Sequence, residues 1–435
     1  MTSKKLLRLL CLLMALTLIA AACGDDDDDD TAAGGSTDTT EAGSEGGGDP
    51  EPVPGFDGTT IKLGVLTPLT DRVAIIGKPL TAGNQAWFDK VNADGGIAGK
   101  YKVELEIQDT KYDPPTGVQL YNGMKNDVVM FAQILGTPVI NAVLPQLKSD
   151  NIVAQPATLD AEWLGEQNLL PIGAPYQIQS MNAAHYWMTE GGGEGKPFCA
   201  MSQDDPYGEA GMQGIDFAAE ELGFDVAAHV KFKVTDQDFT AQINQLKGAN
   251  CAATYLVGTA ANLSGIMTAA VQNNLQTQWI GQSPSWLGVF ANTGLKDYLV
   301  SNFWLISDGP TWDQTDAPGV QEMIALHDQY APDVQPGDQY FSFGVGAAQA
   351  VTQVLERAVE MGDLSRDGII EAMNSLEELT FNGFFQPYEY GAPEDRNPPR
   401  TSTMYKVDPT KPNGITTIQS GIQAPFAEDY DFSDA

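Results

Sequence analysis

The chain has 435 residues, 42% of them hydrophobic, and a formal net charge of −35. The first 57 residues hold 12 acids and 3 bases, so −26 belongs to the remainder and the acidity is a property of the body. Such a surface repels a phosphate backbone, whose binding draws on Lys and Arg, and this excludes nucleic acid as a partner.

Lys4, Lys5 and Arg8 precede an apolar run, Leu9 to Ala22, that ends at Cys23 and is followed by Gly24 and six aspartates. A basic start, a short apolar core, small residues and a cysteine make the layout of a bacterial lipoprotein signal peptide. The run is shorter than the ~20 residues of a transmembrane helix. Residues 1–23 are therefore read as a signal segment ending at a lipidated Cys23, which puts the mature chain outside the cytoplasmic membrane, lipid-anchored to it. An uncleaved anchor or an ordinary secretory signal would share much of this layout. Residues 24–57, rich in Asp, Gly, Ser, Thr and Glu, read as a disordered spacer.

From Ile61 on, short apolar runs alternate with helical patterns. Strands are expected at Ile61–Leu66, Val103–Ile107, Val128–Ala132 and Ile152–Gln155, with helices near Pro79–Asn92, after Pro114 and after Pro138. Pro79 suits a first helical turn. A second set follows, with strands at Phe198–Ser202, Val226–Val230, Ala252–Val257 and Gln278–Gly281 and helices between them. This rhythm predicts an α/β fold with two doubly wound parallel sheets. Beyond residue 300 come a strand at Phe303–Ile306, helices at Val320–Tyr330, Tyr340–Met361 and Arg366–Leu376, and short strands near Phe385–Tyr390 and Met404–Val407; residues 411–435 read as a C-terminal tail. Gly344-Val345-Gly346 lies inside a helix and reads as a close-packing site.

Cys199 and Cys251 are the one cysteine pair of the mature body. An oxidising compartment favours a bond between them, worth about 4 kcal/mol by chain entropy, although two buried thiols are the alternative. His185, His229 and His327 lack metal spacing, Gly195-Lys196 lacks a phosphate loop's upstream glycine, and no catalytic constellation or cofactor motif appears. The chain reads as a non-enzyme without a cofactor.

Several motifs coincide in order. Ile61-Lys62-Leu63-Gly64-Val65, Asn92-Ala93-Asp94-Gly95-Gly96-Ile97, and Asp109 with Asp113-Pro114 resemble the first lobe of the branched-chain amino-acid binding proteins of ABC transporters. Tyr207-Gly208-Glu209 and Asp238-Phe239-Thr240 are similar to their second lobe, and Gly362 to Ala372 to a helix of actinobacterial members. The resemblance implies a type I periplasmic binding protein fold, with two lobes joined by a three-stranded hinge and a ligand in the cleft. Lobe one would hold 59–175 and 310–384, and lobe two 176–305 and 385–410, with crossings near Ile172–Tyr176, Ile306–Thr311 and Phe385–Tyr388. It also implies a monomer that delivers a small ligand to a membrane permease; a ligand sensor signalling to another protein is the alternative.

Ligands in such folds lie beyond the carboxyl ends of the strands, at helix N-termini. Gly136, Thr137, Pro138, Ala157 and Thr158 take those places in lobe one, and Tyr207, Thr259, Ala260, Ser283 and Trp286 in lobe two. In the family the first set holds the ligand's carboxylate and ammonium, and the second supplies an aromatic ring and an acid. Here Gly136 stands where the family has serine, Ser283 where it has the acid, and Ala260 where it has an aromatic, as it often does at Ile76. A neutral Ser283 cannot offset a buried ammonium. The expected ligand is therefore a small carboxylate or amide with an apolar or aromatic body, and Trp286, Trp312, Tyr340 and Phe341 are candidates for an aromatic lining.

Overall fold

The computed structural model describes residues 48–309 and 311–432; Cys23 and the start of the spacer lie outside them. Strands β1 (Thr60–Thr67), β2 (Lys102–Asp109), β3 (Met130–Leu135) and β4 (Ala154–Ala157) alternate with helices α1 (Ala74–Ala93), α2 (Pro114–Met124) and α3 (Thr137–Asp150). The strands form a parallel sheet in the order β2-β1-β3-β4. Every residue of β3 and β4 is buried, as expected of parallel strands covered on both faces.

A second run follows: α4 (Tyr176–Thr189), β5 (Phe198–Gln203), α5 (Pro206–Leu222), β6 (Val226–Phe232), α6 (Thr240–Gly248), β7 (Ala253–Val257), α7 (Ala260–Gln272), β8 (Gln278–Gly281), α8 (Lys296–Asn302) and β9 (Phe303–Ser307). The chain then forms α9 (Pro318–Tyr330), α10 (Gln339–Met361), α11 (Arg366–Asn374), the short strands β10 (Glu378–Leu379) and β11 (Tyr388–Glu389), and finally β12 (Ser402–Val407) and β13 (Ile415–Ile422). The second sheet has the order β13-β12-β9-β8-β7-β5-β6, parallel from β9 to β6 and antiparallel at β12 and β13. The fold is that of two doubly wound lobes.

Helix α10 returns to the first lobe and packs on α1. The two backbones meet so closely that a Cβ on Gly83 would stand 2.1 Å from the Phe341 carbonyl oxygen, and one on Gly344 2.0 Å from that of Leu80. The glycines thus set how near α1, one wall of the cleft, lies to α10.

The structure departs from the sequence reading in four places. Helix α1 starts at Ala74, so Pro79 lies inside it and not in the first turn. The expected spacer gains order before residue 57: Val53 and Phe56 exchange backbone hydrogen bonds, and Phe56 is buried edge-on against Tyr101. The stretch 411–435 is not a free tail, because β13 pairs with β12 along its length. The third passage between lobes falls later than 385–388. Phe385, Tyr388 and Tyr390 belong to the first lobe's core, and Arg396 still donates to the carbonyls of Trp163, Leu164 and Glu166 in that lobe.

Cys199 at the start of β5 and Cys251 just before β7 are joined by a disulfide, S–S 2.00 Å with Cα atoms 5.7 Å apart. Since β5 and β7 are neighbours, the bond ties two central strands at the ends remote from the cleft.

Candidate ligand-binding site

The loops at the carboxyl ends of both sheets close over a cavity of about 110 Å³. Of the residues expected there, Gly136, Thr137, Ala157, Thr158, Tyr207, Thr259, Ser283 and Trp286 line it. Pro138 and Ala260 do not: each sits one residue further into its helix, where the chain has turned away. Trp312 and Tyr340 reach the cavity, whereas Phe341, one residue on, points into the first lobe's core.

On the first lobe the wall is apolar. Val73 just before α1, Ile76 and Leu80 within it, and Leu135 at the end of β3 are all at most 4% exposed. The polar groups of this wall are occupied. Thr137 Oγ1 and Thr158 Oγ1 lie 2.6 Å apart, and Thr158 Oγ1 also reaches the Tyr176 hydroxyl at 3.5 Å. Gly136 has φ 103°, and a Cβ there would meet the Tyr112 ring at 2.4 Å. The family's serine therefore has no room: Tyr112 fills the space its side chain would take. Lys111 and Tyr112 both adopt positive φ, an uncommon conformation for such residues, and this turns the ring back over Gly136.

The second-lobe wall is more polar. Tyr207 packs edge-on against Tyr176, centroids 5.0 Å apart, with its hydroxyl 3.4 Å from the Gly258 carbonyl. Tyr112, Tyr176, Tyr207 and Tyr340 are held well above the ordinary phenol range, chiefly by burial, and stay neutral hydroxyls. Helix α5 is closed by its own Asp205, which accepts from the Gly208 N–H at 3.1 Å. Helix α7 differs: Thr259 at its N-cap makes no capping bond, and its buried Oγ1 has no hydrogen-bond partner in the chain. Ser283 Oγ is likewise unpartnered.

Among the described residues, no Lys, Arg or His lines the cavity, and Asp308 supplies its carboxylate. Asp308 lies just beyond β9 in the second crossing. Its Oδ2 accepts from the Ala174 N–H of the first crossing at 2.5 Å, and burial raises its pKa to about 6.

Several contacts join the lobes across the cleft, among them the Lys411–Asp313 ion pair at 2.8 Å. Gln339 Nε2 donates to the carbonyls of Ser283 and Trp286 at 2.7 and 2.8 Å. The Tyr340 hydroxyl donates to Pro284 O at 2.6 Å, and Arg72 donates to Asp236 O at 3.0 Å. The sequence reading missed Tyr112, Tyr176, Asp308 and Gln339. Tyr112 was within reach, because it lies in the loop after β2, at a strand's carboxyl end.

Two α/β lobes closed over one cavity at their strands' carboxyl ends, without a catalytic cluster among the described residues, define a two-lobed ligand-binding protein. A family model described as periplasmic binding protein matches residues 60–413, and the chain belongs to that family. The resemblance to branched-chain amino-acid binding proteins holds in the relatives. The chain is 26% identical over 236 residues to the leucine-, isoleucine-, valine-, threonine- and alanine-binding protein of Pseudomonas aeruginosa, a match of 51% of this chain that spans only 60% of that protein. Among solved structures it is similar to a fatty acid ABC transporter substrate-binding protein from Thermomonospora curvata, with 25% identity, a TM-score of 0.81, and 87% of this chain and 96% of that one covered. A branched-chain amino acid ABC transporter structure from Thermus thermophilus with bound valine shares the fold, at 14% identity and TM-score 0.75, covering 85% of this chain and 98% of that one.

Proposed function

We propose that this chain is the extracytoplasmic solute receptor of an ABC importer, closing its lobes on a small ligand and passing it to a membrane permease. A lipid on Cys23 would tether it, and because one acyl chain binds a membrane only marginally, more than one would be needed. The ligand is a small carboxylate or amide with an apolar or aromatic body. The observation that carries this is the lining: apolar and aromatic side chains and neutral hydroxyls, with Ser283 where the family has its acid and the lining carboxylate, Asp308, engaged at the crossing by the Ala174 N–H. The fatty acid specificity named for the Thermomonospora curvata protein supports an apolar ligand. The amino acids named for the Pseudomonas aeruginosa relative point the other way, but that match leaves two fifths of the relative uncovered.

In this reading, ligand bridging both walls adds contacts that select the closed form. Mass spectrometry of co-purified ligand, with thermal shift against leucine, isoleucine, hexanoate, decanoate and benzoate, tests it. A true ligand at about 100 times its dissociation constant adds about 2.7 kcal/mol of stability. Stabilisation by leucine or isoleucine alone would sink the proposal.

A further inference from the structure

We infer that the ligand's polar head, a carboxylate or amide carbonyl oxygen, sits on the second lobe between Thr259 and Ser283, with its apolar body against α1. This rests on the preceding reading of the ligand as an apolar body with one polar head. It reverses the orientation that the family resemblance implies, in which the first lobe takes the carboxylate.

A hydroxyl carries one hydrogen, so its donor capacity can be counted. On the first lobe that capacity is spent. Thr158 donates to the Tyr176 hydroxyl at 3.5 Å, which leaves Thr137 to donate to Thr158 across 2.6 Å. The approach to the start of α3 is covered by the Tyr112 ring against Gly136.

On the second lobe the capacity is intact. Thr259 is 6% exposed, stands at the N-cap of the 13-residue α7, and lines the cavity with an Oγ1 that neither caps its helix nor has a hydrogen-bond partner in the chain. Buried hydroxyls are nearly always hydrogen-bonded, so an unpartnered one facing a cavity marks a ligand contact. Ser283 supplies the second donor. Its strand β8 is the direct neighbour of β7, with Leu256 opposite Gly281, so the loops carrying Thr259 and Ser283 leave the sheet side by side. One oxygen between them can take both hydrogens, beside the Tyr340 hydroxyl that already meets the Ala260 N–H of α7.

The test is calorimetric titration of the full chain with hexanoate, benzoate and their primary amides, alongside melting temperatures of the ligand-free variants. Thr259→Val keeps the side chain's shape and is expected to weaken the best probe about tenfold or more, with Thr259→Ser restoring it. Ser283→Ala should show a loss of the same order, and it stands as the second reading if Thr259→Val folds poorly. Thr137→Val should weaken the same probe less than either second-lobe variant does. A tenfold loss in Thr137→Val with none in the second-lobe variants, or equal losses on both lobes, overturns the orientation alone. Failure of every probe to bind the unaltered chain overturns the ligand class, and this assignment with it.

Discussion

The two walls of the cavity are built differently. The first-lobe wall is apolar, with aliphatic side chains from α1 and β3 beside the rings of Tyr112, Trp312 and Tyr340; its Thr137 and Thr158 hydroxyls bond to one another, and Gly136 is covered by Tyr112. The second-lobe wall carries Tyr207 and two hydroxyls with no partner in the chain. A satisfied polar group gains little from a ligand, whereas an unsatisfied buried one gains a hydrogen bond it otherwise lacks. In the orientation proposed above, that difference divides the work between the walls: one would measure the ligand's body and the other read its head.

The strongest test of that division removes the disulfide. Cys199→Ser with Cys251→Ser frees β5 and β7 at the ends away from the cavity, and should cost up to about 4 kcal/mol in denaturant unfolding. Ligand affinity should change little, because Tyr207 and Thr259 sit at the opposite ends of those strands. A large loss of affinity would mean that the second wall depends on the whole sheet.

A pH-dependent effect of similar order lies where the chain leaves the first wall. Asp160, 4% exposed, accepts from Gln177, and burial raises its pKa from 3.8 to about 7. The folded chain thus keeps this proton to higher pH than the unfolded chain. The stabilisation is fully present below the unfolded value and is lost as pH rises from about 4 through about 7, with a slope of at most ~1.4 kcal/mol per pH unit. Asp160→Asn should flatten that part of a stability–pH curve. An unchanged curve would show that Asp160 titrates alike in both states.

The smallest effect concerns closure. Gln339→Ala removes two hydrogen bonds between the lobes and should shift the open–closed balance by about 1 kcal/mol. Small-angle scattering of the ligand-free chain should then report a larger radius of gyration. No change would leave closure to the apolar wall.

Much of this organisation was legible in the sequence for local reasons. Apolar runs bounded by turns located the strands, Pro114 marked a helix start, and the rule that ligands lie beyond strand ends located eight of the cavity's residues. β13 was missed because its exposed and half-exposed residues, Thr416 to Gly421, offer no apolar alternation to read. The third crossing was misplaced because burial of Phe385 and Tyr388 in the first lobe depends on α9 to α11 folding back, which no local pattern announces.

By itself, then, the sequence determined the alternation of elements, the two sheets, the cysteine pair and the strand ends at which a ligand would lie, since each follows from neighbours within a few residues. Only the tertiary structure decided what those strand ends contain. Tyr112 reaches Gly136 from another loop, and Gln339 and Tyr340 reach across the cleft to carbonyls more than 50 residues away. Whether a hydroxyl such as Thr137 or Thr259 is satisfied depends on partners that folding alone brings near, and that distinction separates the two walls.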